Sequence, residues 1–152
     1  MFSLRLLILA VVFSTISQDQ STLNLGAGPE QEALEPLIRS LTLGHTGPVF
    51  LRLYGRDPGR KTLARLALVY PRLIAASRSE WIVVTGSKSG GFYRQRDTQE
   101  PGEYFEVEGF KRLNSKEVAF TAGWGQACGL YSLGKSNSGW HVSQHTDLVP
   151  CF

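Results

Sequence analysis

Three sets of residues carry side chains whose types and spacing could do chemistry. The first is Gly129-Leu130-Tyr131-Ser132-Leu133-Gly134-Lys135-Ser136, which matches letter by letter the loop that cradles nucleotide phosphates. That chemistry needs a turn whose amides wrap the phosphates, after a strand and before a helix. Here the residues between the glycines are bulky strand formers. Asn137-Ser138-Gly139 and then alternating Trp140 and Val142 predict a hairpin turn and a further strand. The match is a decoy.

The second set is His141, Ser143, His145 and Asp147, at alternate positions of the last predicted strand. Residues four apart on a strand are about 13 Å apart, at about 3.3 Å per residue, so His141 and His145 cannot share an ion. His145 with Asp147 could hold one if another element supplied ligands. The plainer reading is a solvated face opposite Trp140 and Val142.

The third set is acidic. Glu106 and Glu108 are placed on one strand face, close enough for paired acid and base work, which requires environments that split their pKa values. With Glu100 and Glu103 nearby they read as an exposed acidic stripe. Arg56, Arg60, Lys61, Arg65 and Arg72, extended by Arg94 and Arg96, form a basic surface without the aromatic interleaving that single-stranded nucleic acid needs. No Ser-His-Asp or Cys-His arrangement assembles. The expectation is therefore no catalytic residue, no metal site and no cofactor.

The elements that would position these groups follow from periodicity. Tyr104 to Val149 alternates in the manner of four antiparallel strands in a meander, with Val118, Phe120, Ala122 and Trp124, then Tyr131 and Leu133, then Trp140 and Val142 on the buried face. Pro29 opens a helical pattern carrying Leu34, Leu37, Ile38 and Leu41. Pro36 interrupts that pattern, so the helix either kinks there or starts there. Val49 to Tyr54 predicts a strand. Asp57-Pro58 has the composition of a helix start, followed by Leu63, Leu66, Ala67 and Tyr70 at helical spacing and a stop at Pro71. Glu80 to Thr85 predicts another strand, and Gly86 to Gly102 a long loop around a short Phe92-Tyr93 pair. The fold class is α+β: a curled antiparallel sheet of four to six strands with the helix from Pro58 across one face, of the cystatin or nuclear-transport-factor-like kind. A small β-barrel with flanking helices is the alternative.

Residues 1–17 have the layout of a secretory signal peptide: Arg5, an apolar run from Leu6 to Phe13, and a small polar exit at Ser14 to Ser17. The run is shorter than the roughly 20 apolar residues of a membrane span. Residues 18–28 read as a flexible lead-in, and 29–152 as one domain. Of 16 basic and 13 acidic residues, cleavage removes only Arg5, so the formal charge falls from +3 to +2. That is too mild to argue for a nucleic-acid partner. The expected location is secreted or periplasmic, with no transmembrane segment in the mature chain. Two cysteines in such a compartment allow one bridge, Cys128 to Cys151, which would stabilise the fold by roughly 3 kcal/mol.

Several blocks together resemble a group of small, mostly bacterial exported proteins with no established function. They are Val49-Phe50-Leu51 leading to Gly55-Arg56-Asp57-Pro58, Tyr70-Pro71, Ala76-Ser77-Arg78, and the ending Gly123-Trp124, Cys128-Gly129-Leu130-Tyr131-Ser132-Leu133 and Gly139-Trp140-His141-Val142. The resemblance covers about residues 48–145. It implies a small exported sheet domain and carries no catalytic residue. The function expected is a non-enzymatic binding or interaction module whose partner is another protein or a small ligand. A protein inhibitor or immunity-type partner, and a metal-dependent hydrolase using His145, Asp147 and the glutamates, are the alternatives.

Overall fold

In the computed structural model, which describes residues 22–86, 90–124 and 127–148, a short strand β1 (Thr22–Leu23) leads to helix α1 (Pro29–Leu41). Pro29 suits a first helical position because its missing amide would have been unpaired anyway. Glu30 and Glu32 in the first turn and Arg39 in the last oppose the helix dipole. Pro36 neither starts nor ends the helix. It lies on a half-exposed side of a continuous helix, while Ala33, Leu34, Leu37, Ile38 and Leu41 are buried. Thr42 closes the helix with its amide and its hydroxyl both donating to the Ile38 carbonyl, at 2.9 and 2.8 Å.

Strand β2 (Val49–Leu53) buries Val49, Leu51 and Leu53 on the core side and Phe50 on the other. Tyr54 and Gly55, at φ 51° and 75°, then turn the chain so that Leu53 and Arg56 exchange backbone hydrogen bonds. Asp57–Pro58, expected to start a helix, forms strand β3 and pairs in parallel with β1. The Asp57 carboxylate, rather than capping a helix, accepts from the Ser77 amide at 3.1 Å. Helix α2 (Arg60–Ala67) begins after Gly59, which leaves no room for a side chain because Asn24 fills that space. Residues 22–25 of the expected lead-in are thus tied down, with the Leu25 amide donating to Thr62 Oγ1 at 2.9 Å.

Strand β4 (Leu73–Ala75) runs parallel to β2. Strand β5 (Ser79–Val83), close to the strand expected at Glu80 to Thr85, and β6 (Gly91–Gln95), inside the expected long loop, make an antiparallel hairpin. Four antiparallel strands follow as predicted: β7 (Pro101–Arg112), β8 (Glu117–Trp124), β9 (Ala127–Ser136) and β10 (Gly139–Leu148). The main path is β10-β9-β8-β7-β2-β4, with β6 joining β7 and β5 joining β6. The sheet is mixed rather than wholly antiparallel, because β2 is parallel to both β4 and β7. It counts eight strands, against the four to six expected. It is open at β10 and β4, so the barrel alternative does not hold.

The helix that covers the meander is α1, which packs on β8, β9 and β10, while α2 packs beside β4. The apolar stripe of α1 meets Val118, Phe120, Ala122, Tyr131 and Leu133 in one core with Leu51, Phe105 and Val107. Each fully buried aliphatic side chain there contributes about 1.5–3 kcal/mol by leaving water. Leu37→Ala is expected to cost about 2–5 kcal/mol and Ser40→Ala, on the exposed side, under about 0.5 kcal/mol, read from the shift in urea midpoint.

Candidate functional site

The structure scatters the chemically suggestive residues. Gly129 to Ser136 lies inside β9, so its amides serve the sheet. The Lys135 ammonium pairs with Glu32 of α1 at 3.1 Å and sits over the Trp140 ring at 5.4 Å. This is a strand end locked to a helix. Glu32, held below the usual carboxylate range by hydrogen bonds from Lys135 and Trp140, is the receptor of that lock.

His141, Ser143, His145 and Asp147 do not share one face. A bulge between Val142 and Gln144 shifts the register of β10. His141 stays opposite Gly134, whereas His145 moves opposite Tyr131 and stacks on its ring at 4.3 Å and 9°. Gly129 makes room for the imidazole, which occupies the place of a side chain there. His145 Nε2 is 3.2 Å from Asp147 Oδ1. Among the described residues, no three His, Cys, Asp or Glu side chains come close enough to hold a metal ion.

The glutamates separate in a similar way. Glu106 stays in register opposite Arg52, 3.9 Å from its guanidinium, and accepts from the Tyr104 hydroxyl at 3.4 Å. Glu108 falls in a bulge between Val107 and Gly109 and is exposed. Part of the basic surface is tied into contacts with other elements. Arg65 pairs with Glu35, Arg72 with Glu100, and Arg94 with Glu80 at 2.8 Å, while Arg96 donates to the Ser79 carbonyl at 2.9 Å. Cys128 is buried on β9, its sulfur 3.7 Å from the Leu148 carbonyl oxygen. Its expected partner Cys151 lies outside the described residues, as do residues 1–17.

What the fold does bring together is aromatic. The β5–β6 register sets Trp81 opposite Tyr93, at 4.8 Å between ring centres and edge-on. Tyr93 stacks on Tyr104 of β7 at 4.6 Å and 24°. Trp81, Tyr93 and Tyr104 therefore form a row across three strands that ends at Arg52. Gly91 permits it, because a side chain there would collide with the Trp81 indole and the Ile82 carbonyl. Beside the row is a cleft of about 260 Å³, lined by Trp81, Phe92, Tyr93, Glu103, Tyr104 and Trp124. It adjoins a second cleft of about 400 Å³ that shares Phe92, Gly102 and Glu103 and reaches His45, whose ring stacks on Trp124.

Backbone pairing joins the hairpin to β7 at two residue pairs, Tyr93–Gly102 and Arg94–Pro101. Beyond the Tyr93–Tyr104 stack, several of its large apolar side chains remain open to solvent. Trp81, Val83, Val84 and Phe92 are 47%, 73%, 41% and 40% exposed, and they make up four of the nine exposed large apolar side chains among the described residues. Such a concentration makes the hairpin a candidate interaction surface, since scattered apolar residues are ordinary and clustered ones are not. Sequence reading missed it by splitting the hairpin into a strand and a loop. The available signal was Trp81-Ile82-Val83-Val84 and Phe92-Tyr93, two short aromatic and β-branched stretches on either side of a Gly- and Ser-rich turn.

Comparison of the chain with protein-family models, curated proteins and solved structures finds no match. The residues themselves have to carry the functional argument.

Burial raises the phenol of Tyr104 above its usual 10.0, with the Arg52 guanidinium pulling the other way. Burial also raises Tyr70 and Tyr131. A raised folded-state value means the folded chain holds the proton longer than the unfolded one. The stability linked to it is complete below about pH 10 and is lost as pH rises through the folded values. Alkaline titration is expected to show these phenolates only above pH 10, together with a falling unfolding midpoint, and Tyr104→Phe to remove one delayed phenolate.

Proposed function

We propose that this protein is an exported, non-enzymatic module that binds another protein through the aromatic groove between the β5–β6 hairpin and the start of β7. The observation that carries this reading is the exposed Trp81 and Phe92 beside a cleft walled by Tyr93, Tyr104 and Trp124. Large aromatic side chains over a cleft supply most of the energy in protein recognition. Glu103, shared by both clefts, gives the groove a single carboxylate to orient an apolar partner segment that carries one basic or amide group. Architecture of the cystatin or nuclear-transport-factor-like kind suits this role, with a sheet laid over α1 and the opposite end left free to bind. An inhibitor or immunity-type action is the second reading, favoured by how few contacts hold the hairpin to the sheet.

A photo-reactive residue in place of Glu103, in cells that make the protein, is expected to capture one defined polypeptide. Trp81→Ser is expected to reduce the yield at least about tenfold, as a central aromatic contact does when removed. Equal capture from a photo-reactive residue at Ser40, on the exposed side of α1, would sink the reading.

Export and the bridge from Cys128 to Cys151 belong to the same proposal. No described helix is long and apolar enough to cross a membrane. Intact mass of the protein recovered from outside the cytoplasm is expected to show cleavage near Ser17. Alkylation of both cysteines only after reduction is the matching outcome for the bridge. An uncut chain with two freely alkylated thiols contradicts both.

A further inference from the structure

The backbone of β5, as distinct from the groove, points to a second binding mode. Val84 donates to the Gly90 carbonyl and Arg96 to the Arg78 carbonyl, at 3.1 and 2.9 Å. In an antiparallel pair, hydrogen-bonded and non-hydrogen-bonded residue pairs alternate. These two bonds therefore fix Glu80 and Ile82 as the residues of β5 bonded to β6. Ser79, Trp81 and Val83 turn their amides and carbonyls the other way, toward the outer edge. Ser79 is already used there: its amide donates to Ala76 and its carbonyl accepts from Arg96. Trp81 and Val83 remain, and β5 pairs only with β6 among the described strands.

We propose that this edge joins a second copy of the same chain, β5 to β5 and antiparallel, about a twofold axis through Ile82. The argument is self-complementarity. The two outward-facing residues lie symmetrically on either side of Ile82, so Trp81 meets Val83 of the partner and Val83 meets its Trp81, closing four backbone hydrogen bonds. Residues opposite each other then share a face. On one face Ile82 meets its own copy, flanked by Phe92 from each β6, in an apolar row of four. On the other face Trp81, its indole lying over Gly91 and Tyr93 of β6, comes opposite the partner's Val83. Charge is compatible too. Glu80 comes opposite Val84 rather than its own copy, and it is already neutralised by Arg94 at 2.8 Å. Trp81 and Val83 on one face and Phe92 on the other are exposed, so both rows gain burial.

This inference goes beyond the groove-binding reading, and its test separates the two. Sedimentation of the full exported protein from about 1 to 500 µM is expected to show the mass rising from one chain toward two, in the range of a small, weak interface. Val83→Pro removes an outward amide without touching the β5–β6 bonds, so the hairpin still folds. It is expected to weaken association at least about tenfold, as is Val83→Lys, which puts a charge on the edge. Ile82→Cys is expected to cross-link to its copy under mild oxidation, because residues facing each other across a non-hydrogen-bonded pair are about 4.5 Å apart at Cα, within disulfide reach. Thr85→Cys is expected not to cross-link. A single-chain mass at every concentration overturns the proposal, including the case in which β5 accepts a strand from a different protein. So does a dimer unaffected by either Val83 variant. Neither result touches capture at Glu103, which samples the groove and not the edge.

Discussion

A strand has one row of amides and carbonyls on each side, and β7 divides its rows among three partners. Pro101 and Gly102 serve β6, residues 103–107 serve β2, and residues 105–112 serve β8. Because buried backbone groups must be satisfied, this division fixes where the hairpin leaves the sheet. Gly102 stands at the change of partner. A Cβ there would lie 2.3 Å from the Pro48 carbonyl and 2.8 Å from the Phe50 ring. The close approach that only glycine allows seats Phe50 beneath the strand and starts the groove on its far side. Core, meander and candidate site all hang from one twelve-residue strand.

Elements dominated by a single periodic signal were legible in the sequence. The meander alternates cleanly because α1 covers one of its faces, and α1 itself shows its stripe at 33, 34, 37, 38 and 41 despite Pro36. Signals that a longer-range contact overrides were not legible. Asp57-Pro58 carries the composition of a helix cap, yet its backbone is claimed by Thr22–Leu23, more than thirty residues away. The parallel pairing of β2 left no mark, since a strand buried on both faces shows only as an apolar run. In β10, a single extra residue near Ser143 reverses the facing of everything after it. Alternation read straight through the bulge therefore put His145 on the face of His141; it is indeed exposed, but on the opposite face, with its ring against Tyr131.

The same logic explains why the charged candidates dissolved and the aromatic one emerged. Arginines spaced along helices and strands look like a basic face until the fold brings carboxylates from other elements to them, as with Arg65 and Glu35 or Arg72 and Glu100. Exposed ion pairs of that kind contribute little to stability, at most about 1 kcal/mol each. They do remove free charge from the surface. What remains distinctive is apolar, and apolar contact is insensitive to salt in a way that charge steering is not.

The bulge in β10 has one further effect. β10 is the other long outer strand of the sheet, ten residues with backbone groups on its free side. A bulge breaks the even repeat that an incoming strand must match. β4, at the remaining end, offers only three residues. Of the sheet margins described, β5 alone is a regular strand with exposed apolar side chains and no partner on its outer side. A margin that pairs with its own copy about a twofold axis is used up by that pairing, so this edge closes a pair and does not continue a filament.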